Sequence, residues 1–108
     1  MSEQQLMPEN NYTNKDETVY TLRLFITGAS PNSVHAVTNT KKLCEKYLPG
    51  RYELEIIDIY QQPAIAEQEQ LIAIPMLIRK FPLPERRLIG DMSDPKKVLT
   101  GLEVKNAL

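Results

Sequence analysis

The stretch Tyr20–Val37, YTLRLFITGASPNSVHAV, constrains the fold more than any other part of the chain: an apolar run ends in a glycine, turns through a proline and opens a helix at once. Leu22, Leu24 and Ile26 alternate with Thr21, Arg23 and Phe25, which leaves one apolar residue on the second face. That pattern suits an interior strand, because successive side chains of a strand point to opposite faces of the sheet. Gly28 permits a tight exit. Ser30 can cap the helix through its hydroxyl, and Pro31 fits the first helical position, where its missing N–H costs no helix bond.

The helix is expected to run from about Pro31 to Tyr47, with Val34, Val37, Cys44 and Leu48 on one stripe and Ala36, Leu43 and Tyr47 beside it. Pro49-Gly50 ends it. Tyr52–Tyr60 reads as a second strand, and the intervening helix implies a right-handed parallel crossover. Gln61–Ile72 holds a short helix, with Pro63 near its first turn and Ile65, Ala66, Glu69 and Ile72 at helical offsets. A proline, Pro75, directly precedes the apolar strand Met76–Ile78; the turn Phe81–Pro84 then leads to a hairpin strand at Arg86–Ile89. Gly90-Asp91 breaks the chain, Asp94 can cap, and Pro95 can open a last helix through about Leu102. The predicted fold is α/β, in the order βαβαββα.

Residues 1–18 are polar, lack an apolar period and cannot offset the entropy of ordering by burial, so they read as a flexible arm. Residues 19–108 form one domain, and a chain of 108 residues with 42% hydrophobic content can build a core without disulfides or a structural metal. The lone cysteine, Cys44, has no disulfide partner, and on an apolar helix face it reads as a buried, inert thiol. No secretory or membrane-spanning run is evident, so the cytoplasm is the expected location and no membrane role is expected.

Of 13 basic and 14 acidic residues, residues 1–19 hold one and four, leaving the remainder only slightly basic. Nucleic acid is therefore not an expected partner. Arg79, Lys80, Arg86, Arg87, Lys96 and Lys97 are nevertheless concentrated around Glu85, Asp91 and Asp94, as either a solvated face or a patch for an acidic partner. His35 is the single histidine and has no companion ligands for a metal.

The element order, with a proline immediately before the third strand, resembles the thioredoxin superfamily, in which the equivalent proline is cis. A thioredoxin needs a low-pKa thiolate at the start of helix one and a resolving thiol three residues on. This chain has Ser30-Pro31-Asn32-Ser33 there, which excludes thiol–disulfide exchange.

The combination of Gly28–Val34, Tyr52 through Asp58-Ile59, Pro63, Ala66-Glu67, Ala73-Ile74-Pro75, Arg86–Asp94 and Lys97–Leu102 strongly resembles the KaiB family over about Tyr20–Val104. The resemblance implies a non-enzymatic protein without cofactors that binds a KaiC-type ATPase, with KaiA and a SasA-type histidine kinase as further partner and competitor. It also implies fold switching between the thioredoxin-like state and a ground state ordered βαββααβ, assembled as a homodimer or homotetramer. By resemblance, Arg23, Arg79, Arg86 and Arg87 are the partner-binding residues, and Tyr20, Pro75, Gly90, Asp91, Gly101 and Glu103 mark the fold-switch region.

The chain departs from the family pattern at Glu53 and Glu55 of strand two and at His35 of helix one, which change the charge of a surface the family uses for KaiC. It also ends in Val104-Lys-Asn-Ala-Leu rather than in an acidic tail. A divergent paralogue serving a stress or signalling system fits these departures. Val98, Thr100, Leu102 and Val104 alternate as a strand would, whereas Val98, Leu99 and Leu102 fit a helix. Glycine in a helix interior costs about 1 kcal/mol relative to alanine, so Gly101→Ala is expected to favour the helical state. The alternative function is a glutathione-binding thioredoxin-like enzyme, using Ser30 or Ser33 to activate a thiolate. This reading lacks length for the helical domain that glutathione transferases add.

Overall fold

The structure is a computed structural model and describes residues 18–104. The arm expected over residues 1–18 thus falls, but for Thr18, outside the described residues. The elements are β1 (Tyr20–Ile26), α1 (Pro31–Tyr47), β2 (Tyr52–Asp58), α2 (Pro63–Glu69), β3 (Met76–Phe81), β4 (Arg86–Ile89) and α3 (Pro95–Gly101). They form one sheet in the order β2-β1-β3-β4, with β1 parallel to β2 and antiparallel to β3, and β3 antiparallel to β4. This is a thioredoxin-like arrangement in the predicted βαβαββα order.

Alternation along β1 divides the apolar side chains between two layers. Leu22 and Leu24 join Ala36, Leu43, Cys44, Leu48, Leu77, Val98, Leu99 and Leu102 beneath α1 and α3. Phe25 faces the other way, with Ile57, Met76 and Ile78, and Ile65 of α2 packs on that smaller cluster. Central placement of β1 accounts for its two apolar faces: both are covered by helices.

Ser30 caps α1 as expected, its Oγ accepting from Ser33 N at 3.3 Å, and Asp94 Oδ1 accepts from Lys97 N at 3.3 Å to cap α3. Some boundaries move. The second strand ends at Asp58 rather than Tyr60 because Gln61 and Gln62 N–H groups turn back to Asp58 O. The short helix spans Pro63–Glu69, not Gln61–Ile72, and the third strand extends to Phe81. The buried stripe of α1 also differs from the expected one: it is Ser33, Ala36, Thr40, Leu43 and Cys44, whereas Val34 is 48% exposed. Fixing the helix start by the Ser30 cap puts Ser33 underneath the turn, and helical phase then rotates Val34 outward.

The ambiguous Val98–Val104 stretch resolves as the end of α3. Glu103 N donates to Thr100 O and Val104 N to Leu99 O, each at 3.0 Å, the paired bonds of a Schellman ending. The residue normally glycine in that motif is Glu103, held at φ 56°. Val104 then packs back on the larger core.

Candidate partner-binding face

Because β-strand side chains alternate, Arg86 and Arg87 point to opposite faces of the sheet. Arg87 joins Arg23 and Lys80 on the α2 side, three cations from three adjacent strands. Their common partner is Glu69, the one buried residue of α2. Its Oε2 lies 3.3 Å from Arg23 Nη1 and 2.9 Å from Lys80 Nζ, and its Oε1 lies 3.2 Å from Arg87 Nη2. Glu55, paired with Arg23 in the β1–β2 register, adds a 3.1 Å contact to Arg23 Nε. Glu85 sits 2.5 Å from Lys80 Nζ and 3.7 Å from Arg87 Nη2. The hydrogen bond from Lys80 holds the Glu85 carboxyl below its ordinary pKa, and the reciprocal bond to Glu85 raises that of Lys80. Three carboxylates thus balance three cations, so the basic concentration seen along the sequence is internally compensated on this face.

Arg86 lies on the α3 side, where its Nε meets Glu103 Oε2 at 3.1 Å. Arg79 is placed differently from an exposed contact: it is 4% exposed, with Nη1 donating to Leu102 O at 2.5 Å and Nη2 to Pro84 O at 2.7 Å. Its guanidinium therefore ties the end of α3 to the β3–β4 turn. The reason is its register, which puts it beside Leu77 on the core-facing side of β3.

The residues expected in the fold-switch region divide between three places. Pro75 follows a cis peptide bond and accepts from Gly90 N at 3.0 Å, while Asp91 O accepts from Asn39 Nδ2 of α1 at 2.9 Å. Gly90 has φ 128°, a region reserved largely for glycine. Tyr20 and Glu103 instead line a cavity of about 480 Å³ together with Arg79. Gly101 faces Leu88 of β4.

At the β1–α1 turn, where a thioredoxin-like enzyme would hold its thiols, hydroxyls are bonded to one another. Ser30 Oγ donates to Ser33 Oγ at 2.9 Å, and the fully buried Ser33 Oγ accepts from Thr27 N at 3.0 Å. Cys44 lies in the core, where burial foremost, and then the nearby Glu45, push its thiol up to about 12. The glutathione reading consequently finds Ser33 inaccessible and Ser30 engaged in the cap. Among the described residues no group of three or more His, Cys, Asp and Glu could hold a metal, and no helix is long and apolar enough to cross a membrane.

Glu69 was not among the residues the sequence singles out for partner binding. Its signal was positional: Ile65 and Glu69 stand four residues apart on one helix face, so burying Ile65 turns Glu69 inward as well.

The KaiB domain model matches residues 23–104. This chain belongs to the KaiB family. It is 44% identical over 85 residues to the circadian clock oscillator protein KaiB of Synechococcus elongatus, covering 79% of this chain and 83% of that protein. It is 46% identical over 83 residues to the circadian clock protein KaiB3 of Synechocystis sp., covering 77% and 81%. In fold it is similar to the N-terminal domain of SasA from Synechococcus elongatus, with a TM-score of 0.63, 20% identity and coverage of 94% and 99%. Mitochondrial thioredoxin 3 of Saccharomyces cerevisiae aligns with a TM-score of 0.64 at 16% identity, covering 80% and 78%, a likeness of fold alone. The KaiB family match spans β1 from Arg23 through the Schellman end of α3, so it includes both the Glu69 cluster and the Arg86–Glu103 pair.

Proposed function

We propose that this KaiB-family chain is a non-enzymatic regulator that binds a KaiC-type ATPase in the cytoplasm, in circadian timing or in a stress or signalling system derived from it. Family membership carries the reading, since relatives covering most of the chain are named as circadian clock proteins. The hydrogen-bonded hydroxyls at the β1–α1 turn and the buried Cys44 thiol support a binding role over thiol chemistry. KaiA and a SasA-type histidine kinase are the proposed further partner and competitor. The thioredoxin-like state is the binding-competent one, and a βαββααβ homodimer or homotetramer is the resting state. Arg23, Arg86 and Arg87 supply the contacts, while Arg79 serves the same site from beneath by holding α3 and the β3–β4 turn together.

Mixing the full chain with the KaiC homologue of its own genome, with ATP present, and measuring complex mass by light scattering tests the proposal. A complex that weakens with Arg87→Glu or Arg86→Glu supports it, because charge reversal replaces attraction by repulsion at the contact. Absence of any complex at micromolar concentrations overturns it.

A further inference from the structure

We infer that α2 is a lid over a carboxylate-recognition site, that Glu69 holds this lid shut, and that an acidic segment of a partner protein occupies the site when α2 lifts. It shares Arg23 and Arg87 with the ATPase reading, but it rests on how α2 is attached and is tested with a peptide and no ATPase, so the two can fail separately.

α2 is a helix of seven residues whose one buried residue is a carboxylate rather than a hydrophobe. Its apolar anchor, Ile65, is half-buried. The Gln62 side chain makes no capping bond, and the C-cap, Gln70, is a non-glycine residue at φ 55°. Such a helix has little intrinsic stability of its own, since short helices depend on tertiary packing. What fixes it to the sheet is Glu69 and the three cations that meet both its oxygens.

Those cations come from β1, β3 and β4, so strand pairing sets their spacing before any ligand arrives. Preorganised charged donors of this kind favour carboxylates. The rim acids cannot replace Glu69: Glu55 reaches Arg23, Glu85 reaches Lys80 and Arg87, and both are exposed well beyond the 10% of the Glu69 side chain. With Glu69 withdrawn, three cations face two carboxylates. Movement of α2 also uncovers part of the Phe25–Ile57–Met76–Ile78 cluster on which Ile65 packs. The ligand chemistry is therefore an acidic side chain flanked by apolar surface, presented by a protein segment.

The test uses the full chain and a fluorescein-labelled hexaglutamate peptide, read by fluorescence anisotropy at low ionic strength, with amide hydrogen exchange across α2. Glu69→Gln is expected to tighten peptide binding by roughly fivefold, the scale of one charge-assisted contact on a part-exposed surface, and to accelerate exchange in α2 while β1 and β3 stay protected. Glu85→Gln removes the same charge from the rim and is expected to leave both readouts near the parent values. Adding Arg23→Gln to Glu69→Gln should abolish the gain. Should Glu69→Gln fail to fold, Glu69→Asp keeps the charge, shortens the reach and should loosen α2 in the same direction. Equal tightening by Glu69→Gln and Glu85→Gln would reduce the effect to net charge and overturn the inference, as would unchanged α2 exchange. Binding of an oligothymidylate in place of the peptide would overturn it too.

Discussion

Gly101 packs against Leu88 so closely that a Cβ built on it would stand 3.1 Å from both Leu88 Cγ and Cδ1 and closer still to Cδ2. Helix propensity alone makes Gly101→Ala a stabilising change of about 1 kcal/mol. Packing reverses that expectation, since overfilling such a contact costs typically 1–3 kcal/mol. Gly101→Ala should therefore lower the midpoint of urea unfolding. Pairing it with Leu88→Ala should recover part of the loss, and a double-mutant cycle with no coupling between the two positions would remove the steric explanation.

Arg79 offers a second test. Arg79→Met keeps much of the aliphatic stem but leaves Leu102 O and Pro84 O without their donor. Leu102 O is the buried acceptor of the two, and leaving it unpaired costs about 1–3 kcal/mol, so the variant should be distinctly less stable in denaturant titration. An Arg79→Met protein as stable as the parent would return this residue to the class of surface contacts.

Glu103 occupies the left-handed position at the close of α3. Relief of that backbone cost by Glu103→Gly is worth about 1 kcal/mol, and the exposed ion pair with Arg86 that is lost contributes little. The expected outcome is a modest rise in melting temperature that persists at high salt. A fall that high salt erases would mean that the Arg86 pair outweighs the backbone term.

Cys44 gives a pH dependence. Its folded pKa, about 12, is above the ordinary 9.0, so the unfolded thiol ionises first. The thiol's contribution is thus fully present below about pH 9 and falls as pH rises between those values, by up to about 1.4 kcal/mol per unit. Subtracting the stability profile of Cys44→Ala isolates this slope from tyrosine and lysine titration. A thiol reagent at pH 8 should label the parent in denaturant and hardly at all in the native state.

The β1-turn-α1 unit was legible because each of its signals is local: alternation, Gly28, the Ser30 hydroxyl and Pro31 act within a few residues of one another. The same locality explains the accurate start of α3 at Asp94-Pro95. The expected stripe of α1 fails at Val34, since a cap sets helical phase more firmly than one valine does. Around the candidate binding face, sequence proximity misled. Arg86 and Arg87 are neighbours in the chain yet serve opposite faces of the sheet, and Arg79 looked like surface charge because nothing in its own segment shows that Leu102 O, 23 residues on, receives its guanidinium. Glu69 was visible as a helical offset, but its three partners are drawn from β1, β3 and β4, which only strand pairing brings together.

The position of β2 at the border of the sheet has a further consequence for how copies of this protein can meet. Among the described residues no strand pairs with its outer edge, and Glu53 and Glu55 stand exposed on the same face. An antiparallel meeting of two copies centred on Leu54 sets Glu53 against the other copy's Glu55; centring on Glu55 sets that residue against itself. Either alignment places like charges directly across the seam, which is destabilising. In these two alignments the border strand thus resists pairing with a second copy of itself.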